Sequence, residues 1–450
     1  MAATIKLNRG LDIQLSGISE KVLMRTPPAL SYAIKPADFP GLIPKLAVAI
    51  GDKVLAGDVI FYHKNNEKIK VVSPVSGIIK SIDRGEQRKI LEVSIEPETE
   101  INYKSFTIID INKANREDII DKLLESGLWT LLRQRPFNQI ANPAAMPKAI
   151  FISAFDTAPL APDIEFTIKG QEPEFDAGIK VLTKLTAGMI HIGYNGVYNA
   201  PKSLEKLNGV KLHPIIGKHP AGNVGIQIHH IEPINKGDVV WTIHPQDVII
   251  IGRFILKQQV DLTRIINIAG PMVKFPKYFR IISGATTEHL TYNNLYDGKL
   301  RYISGNPLTG TKISETGHLG YFDNQLTILE EGDNYEFLGW ALPGLNKFSA
   351  SRTFLSSLFP GKLFNINTNL NGGHRAYVLS GQYESVLPMN IYPVYLIKAI
   401  LAGDIEKMEN LGIYEVIEED LALCEYVCTS KMEVMNILRK GIDMVIKDLH

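Results

Sequence analysis

Between residues 51 and 82 the chain turns so often that only short, tightly wound strands fit. "GDKVLAGDVI" (Gly51–Ile60) carries turns at Gly51-Asp52 and Gly57-Asp58 around the short strand Lys53–Leu55. "SPVSGIIKSI" (Ser73–Ile82) follows, with "IKVVS" entering it and "IIKSI" leaving it. Pro74 interrupts pairing and Gly77 permits the turn backbone. Two hairpin-like halves joined in this way predict a flattened small barrel within residues 1–100.

From about Asn102 the periodicity changes. "ANREDIIDKLLESGLWTLL" spaces its apolar residues as a helix does, with Asn115 placed to cap it. "KAIFISAF" (Lys148–Phe155) is a continuous apolar run, the mark of a buried parallel strand. "EFDAGIKVLTKLTAG" predicts an amphipathic helix ending at Gly188. "MIHIGY" and "VKLHPIIG" read as strands with a helical "APKSLEKLNG" between them, and "GDVVWTIHPQDVIIIGRFIL" closes the region. Strand and helix alternate, which predicts a Rossmann-like parallel sheet over 101–256. "RIINIAGPMV", "KYFRIISG" and "KLRYISGNPLTG", around one helix near "TTEHLTYNNL", predict a compact α+β module of β-grasp type over 257–330. Residues 331–450 read as loop, then helix, with "YPVYLIKAILAGDIEKMENLG" and "MEVMNILRKGIDMVIKDL" the clearest helices. The expected fold class is α/β multidomain.

Composition removes several functions. The 450 residues carry 48 basic and 48 acidic side chains, so no basic face for nucleic acid is expected. Two cysteines make no disulfide framework and point to a reducing compartment. "MAATIKLNRG" has no signal-peptide core, and no run of about 18 uncharged apolar residues occurs. A soluble, cytoplasmic protein is expected, meeting a membrane only through partners.

The concentrated polar stretches are few. "GKHPAGNVGIQIHH" (Gly217–His230) could cradle an anion at a following helix N-terminus, but lacks the GxGxxG order of a dinucleotide loop. Five of the eleven histidines lie between His213 and His244 without HExxH or HxH spacing. Adjacent His229 and His230 on a strand would point to opposite faces. Asp156, in "FDTAPLAPD", and the loop "RQRPFNQIANP" stand at the ends of a buried strand, where α/β sheets bind ligands; a stiff proline loop explains them equally well. Neither GxSxG nor a P-loop appears. "EEDLALCEYVCTSK" (Glu418–Lys431) holds both cysteines, Cys424 and Cys428, on one helix face. Two thiolates are too few for an iron–sulfur cluster, so they are expected as buried small hydrophobes.

The glycine and proline turns resemble the lipoyl and biotinyl carrier fold. In such carriers a lysine at a hairpin tip is modified. The matching position here is Asn66, flanked by Lys64 and Lys68, so the resemblance implies the fold without the attached group. Taken with "IKLNRGLDIQLSG", "RQRPF", "FISAFDTAPLA", "HPAGNVGIQIHHIEPI", "RIINIAGPMV" and "EEDLALCEYVCTSK", the module order resembles the A subunits of sodium-translocating NADH:quinone oxidoreductases over nearly the whole chain. That family is distantly similar to the flavin-bearing NADH-binding subunit of respiratory complex I and to a component of the Rnf complex. Where those relatives keep a glycine-rich flavin loop, this chain reads "SGLWTLLRQRPF", with only Gly127 left and Trp129, Leu131, Leu132 and Arg133 in the space.

The resemblance implies a peripheral subunit on the cytoplasmic face of the bacterial inner membrane, without catalytic residue, metal or cofactor of its own. It would dock on integral membrane subunits, above all the flavin-bearing B subunit, in a complex whose other subunits supply NADH, flavin and iron–sulfur chemistry, reduce ubiquinone or menaquinone and pump sodium. The family is linked to quinone. An apolar slot with one or two hydrogen-bonding partners suits a quinone, and "HPAGNV" and "GHLGYFDNQLTIL" offer such mixtures. The expected contacts are His219, Asn223, His318 and Tyr321. The alternatives are a stand-alone flavin- or NAD-dependent oxidoreductase and a carrier acylated at Lys64 or Lys68.

Overall fold

The computed structural model describes residues 3–333, 336–339 and 341–449. The glycine turns fold as expected into two small sheets. One contains Tyr32–Ile34, Ile90–Pro97, Gly77–Arg84 and Lys53–Val54; the other contains Pro44–Leu46, Val59–His63 and Asn66–Val72. Ile60, Phe61, Val71, Val72, Val93 and Ile95 between them are fully buried. Gly77 is required for a reason other than turn geometry. A Cβ there would lie 2.1 Å from the Glu96 carbonyl oxygen on the neighbouring strand. His63 pairs with Asn66, so the hairpin tip is Lys64-Asn65 and Asn66 opens the returning strand.

The largest sheet runs Ile5–Lys6, Val210–Ile216, Ile190–Asn195, Ile150–Ser153, Val240–Thr242, Arg133–Arg135, Gln139–Ile140. The first five strands are parallel and the last two antiparallel. From the central strand Ile150–Ser153 the chain steps outward to one side, then returns on the other at Val240–Thr242. That reversal is the topological switch point at which α/β sheets leave a crevice beyond the carboxyl ends of their strands.

The crossover helices carry the expected signals. Asn115 caps the helix Arg116–Glu125, accepting from Asp118 N at 2.9 Å, while the Asp118 carboxylate accepts from Asn115 N at 2.9 Å. The helix Glu172–Thr183 stops short of the expected Gly188. It packs on Pro245–Lys257 backbone to backbone: Cβ atoms on Gly178 and Gly252 would meet the carbonyl oxygens of Val248 and Glu174 at 2.1 and 1.7 Å.

The loop 217–223 is followed by a helix, Val224–Ile231, so His229 and His230 lie on a helix and not on the strand that would have set them on opposite faces. Its apolar residues at 224, 226 and 228 mimic strand alternation. The chain, however, must connect the parallel strands Val210–Ile216 and Val240–Thr242, and a parallel connection needs a crossover.

A third unit orders Thr311–Ile313, Leu300–Ser304, Gln325–Glu330, Thr263–Ala269, Tyr278–Ile282 and Leu23–Met24 into a six-stranded mixed sheet, with the short helix Glu288–Thr291 beside it. The last unit is helical. "YPVYLIKAILAGDIEKMENLG" forms two helices rather than one, Pro393–Ala402 and Ile405–Asn410. Gly403, at φ +69°, ends the first, and Asp404 caps the second through Lys407 N at 3.1 Å. Glu418–Val427 and Val434–Asp448 complete the unit. Cys424 and Cys428 are free and buried in its core, where the Tyr383 hydroxyl donates to Cys428 Sγ at 3.0 Å. Among the described residues no helix is long and apolar enough to cross a membrane.

Residues 3–24 serve no single unit. Ile5–Lys6 extends the α/β sheet, Leu11 N donates to the His219 carbonyl at 2.9 Å, and Leu15 bridges to Phe364. Gly17 lies so close to Gly270 that a Cβ would fall 2.1 Å from the latter's carbonyl oxygen. Leu23–Met24 then closes the edge of the six-stranded sheet.

Candidate functional site

The switch-point crevice is filled by the chain's own loop. Ser153, at the end of the central strand, donates through Oγ to the carbonyls of Phe155 and Gly222, both at 2.8 Å, and accepts from Gln227 Nε2 at 2.7 Å. Gly222 N donates to Thr157 Oγ1 at 2.9 Å. A Cβ on Gly222 would stand 2.6 Å from Thr157 N and 2.9 Å from Asp156 Cα. Loop and strand end therefore meet backbone to backbone, in the space a dinucleotide would need. Asp156 accepts from Ala158 N at 2.8 Å on the exposed side of this rim; the protein around it raises its pKa against its backbone hydrogen bonds, and water tempers that shift.

His219 and Asn223 sit on this loop. His219 is 4% exposed, and burial lowers its pKa to about 4, so the ring is neutral. Its Nδ1 meets Thr157 Oγ1 at 3.2 Å, its backbone N–H donates to Asp12 Oδ1 at 2.9 Å, and the His219–Pro220 peptide is cis. Among the described residues its Nε2 has no partner. Asn223 precedes the helix Val224–Ile231, but its side chain does not cap it; Nδ2 donates to the Glu419 carbonyl at 3.0 Å.

That contact leads to a cluster the sequence reading did not assemble. Arg135, 2% exposed, donates from Nη1 to Asp420 Oδ2 at 2.8 Å and from Nη2 to Glu419 Oε1 at 2.7 Å. Asp420, buried, also accepts from Ile417 N at 3.0 Å at the start of its own helix. Both carboxylate oxygens lie where a Cβ on Gly225 would be, at 2.5 Å. Asp420 thus faces the first turn of Val224–Ile231, where the helix dipole favours an anion. Glu419 rises to about 7: burial leads, Arg135 opposes it, and Asp420, Asp156 and Glu418 add repulsion. Its side chain keeps 39% exposure, so water softens that shift. His229 Nδ1 meets Glu415 Oε2 at 2.6 Å, and His230 Nε2 meets the Pro388 carbonyl at 2.7 Å, fastening the other end of the same helix to the helical unit. "RQRPF", "FISAFDTAPLA", "HPAGNVGIQIHH" and "EEDLALCEYVC" all converge here. Arg135 and Asp420 are 285 positions apart, and no local pattern links them.

His318 and Tyr321 lie elsewhere, on the seam between the barrel and the six-stranded sheet. His318 Nε2 meets Ser31 Oγ at 2.9 Å and Nδ1 meets Glu92 Oε1 at 2.8 Å, so both ring nitrogens are engaged. The Tyr321 ring is 1% exposed, 5.0 Å from Phe39 and 4.9 Å from Phe322. Its backbone N–H donates to Asp38 Oδ2 at 2.8 Å, and burial raises Asp38 to about 6 against that bond. Arg133 completes the seam, donating to the Asp38 carbonyl at 2.9 Å and lying 4.3 Å over the Phe322 ring. The four residues expected to contact quinone therefore form two separate pairs. None of them lines either of two surface clefts, of about 290 and 400 Å³, that border the N-terminal segment.

The segment aligned with the flavin loop is packed core. Trp129, Leu131 and Leu132 are at most 1% exposed. Trp129 donates from Nε1 to the Ala141 carbonyl at 2.7 Å and stands edge-on to Trp241 at 5.4 Å. Gly127 keeps φ +74°, and a Cβ there would lie 2.6 Å from Val72 Cγ1 of the barrel. These residues do not fit a flavin. Among the described residues no group of three or more His, Cys, Asp or Glu is placed to hold a metal ion. What the arrangement can do is join two domains through a buried Arg–carboxylate clamp and offer a neutral imidazole beside it.

Comparison with known proteins places all of this in one family. The family model described as NqrA N-terminal barrel-sandwich hybrid domain matches residues 5–98. The NqrA second alpha/beta domain matches 114–260, and the NQRA C-terminal domain matches 265–315. The chain is 38% identical over 447 residues to the A subunit of the Na(+)-translocating NADH-quinone reductase of Vibrio anguillarum, covering 99% of this chain and 100% of that one. It is 38% identical to the protein of the same name from Saccharophagus degradans, again covering 99% and 100%. Among solved structures, a chain of an NAD+-reducing [NiFe]-hydrogenase is similar at 10% identity over 77% of this chain and 67% of that one, with a TM-score of 0.36.

Proposed function

Since the chain belongs to the family of A subunits of Na(+)-translocating NADH-quinone reductases, we propose that it serves that oxidoreductase as a peripheral scaffold without a prosthetic group of its own. One observation carries this reading. The two places where a related fold would hold a cofactor, the switch-point crevice and the loop after the first helix, are closed by Gly222 against Asp156 and by Gly127 against Val72 beside the buried Trp129. Chemistry then belongs to partner subunits that dock at the cytoplasmic face of the membrane, the flavin-bearing B subunit foremost. The purified chain should be colourless, free of iron and unmodified at Lys64 and Lys68, yet should assemble with the membrane subunits. A flavin retained through purification would end the reading.

The quinone contact is proposed at His219 and Asn223. The Nε2 of a neutral imidazole, and the second N–H of the Asn223 amide whose first holds the Glu419 carbonyl, supply the hydrogen-bonding partners a quinone carbonyl needs. His318 and Tyr321, also expected as contacts, are assigned to the barrel seam, because the imidazole is committed on both nitrogens. In the assembled reductase, His219→Ala or Asn223→Ala should weaken quinone affinity by roughly tenfold, the size of one hydrogen bond to a neutral acceptor. His318→Ala should leave it unchanged. Equal affinity in wild type and the first two variants removes the assignment.

A further inference from the structure

Residues 336–363 form a small lobule with an unusual division between inside and outside. Part of its aromatic content turns inward. Phe364, at its exit, is 4% exposed and packs on Phe348 with ring centroids 5.7 Å apart. Gly344, at φ +64°, lies under the Phe354 ring, where a Cβ would be 2.2 Å from Cδ1. Local bonds close the lobule: Leu355 N to the Pro343 carbonyl at 3.0 Å, and Lys362 Nζ to the Leu345 carbonyl at 2.7 Å and Asn346 Oδ1 at 2.8 Å. Other large apolar side chains among its described residues point outward. Phe337 is 92% exposed, Leu358 70%, Phe359 55%, Leu342 54%, and Leu345 and Leu355 each 51%. Soluble surfaces seldom gather so many in so few residues.

The charge pattern says what they face. No Asp or Glu occurs among the 47 residues between Glu336 and Glu384. A chain with 48 acids in 450 residues would place about five there. Lys347, Arg352, Lys362, His374 and Arg375 all fall in that acid-free stretch. Apart from the 3-10 turn Leu355–Leu358, the described residues of the lobule present neither a strand edge nor a helix face on which a protein partner could register. Lys347 pairs with Glu336 at the lobule's edge, but among the described residues Arg352 and Lys362 have no acidic partner, and protruding leucines and phenylalanines beside such cations match a surface of negative headgroups over acyl chains.

We propose that residues 337–363 are a lipid-contact lobule that seats the chain on an anionic bilayer surface. This rests on the peripheral placement argued above and adds a direct lipid contact to docking on protein partners. The test sediments the full chain with vesicles of phosphatidylcholine, with and without phosphatidylglycerol. Wild type should bind the anionic vesicles, lose binding at high salt, and ignore neutral ones. The Leu358→Ser/Phe359→Ser double variant changes only exposed side chains and should bind at least about tenfold more weakly. Arg352→Ser should bind about fivefold more weakly. Equal binding to neutral vesicles, or variants that bind like wild type, would overturn the proposal. So would a chain that ignores vesicles but joins the membrane subunits, which would make the lobule a protein dock. A chain that binds vesicles but fails to assemble leaves the lobule intact and defeats the scaffold reading instead.

Discussion

Asp420→Ala is the most demanding test of how the α/β and helical domains are joined. The carboxylate is fully buried and meets a guanidinium that is itself 2% exposed, at 2.8 Å. Removing one partner of a buried pair strands the other, at a cost of about 3–5 kcal/mol. The same substitution removes the acceptor for Ile417 N, the kind of cap worth about 1 kcal/mol. Glu419, 39% exposed at 2.7 Å from Arg135, keeps part of the pairing, which places the expected loss near the low end, about 3 kcal/mol. Replacing both partners is a different matter. Arg135 Nε and Asp420 Oδ1 have no hydrogen-bond partner among the described residues, so the pair is not fully satisfied even in the wild type. Arg135→Met/Asp420→Leu should therefore lie within about 1 kcal/mol of wild type. Urea unfolding would read the free energies. Hydrogen exchange in the helix Glu418–Val427 would show whether the loss is felt there. An Asp420→Ala variant within about 0.5 kcal/mol of wild type would refute the clamp, as would single losses that add in the double variant without coupling.

Two further outcomes follow from the geometry. Burial lowers His219 and His213 to about 4, with His191 adding to the effect at His213, so both are neutral when folded and protonate near 6.5 when unfolded. Their contribution is complete above about pH 6.5 and is lost as pH falls toward 4, at about 1.4 kcal/mol per pH unit for each group. Urea midpoints from pH 7 to 4.5 should fall along that slope, and His219→Gln should flatten it; a wild-type profile without a fall in this window would contradict the burial argument. Gly127→Ala places a methyl group 2.6 Å from Val72 Cγ1 at φ +74° and should cost about 1–3 kcal/mol, read as a lower melting temperature. A neutral result would mean that the barrel is not fixed against this loop.

The sequence was most readable where a short stretch decides its own shape. The Gly-Asp turns, the Asn115 cap and the apolar run Lys148–Phe155, which holds the strand Ile150–Ser153, each act within a few residues. Local pattern failed where the rest of the fold decides. Val224–Ile231 alternates like a strand, but sheet topology makes it a crossover helix. A helical period runs through Gly403, but that glycine takes a left-handed backbone and divides the helix. The site was legible only in pieces. "RQRPF" holds Arg135 and "EEDLALCEYVC" holds Asp420, but the cysteines are the conspicuous residues of the second stretch. The residues that matter, Arg135 and Asp420, meet across most of the chain, and a single sequence holds no record of such a pairing.

The N-terminal segment sets an order of events for biosynthesis. Residues 5–24 leave the ribosome well before their partners, which come only at Ile215, Tyr278 and finally Phe364. At ordinary elongation rates that delay is on the order of tens of seconds. During it the barrel can collapse, while residues 5–24 trail as an unpaired leader with a strand at each end. Final closure therefore waits until Phe364 has been made, and anything that captures the nascent segment 5–24 would leave well-formed modules that never become one body.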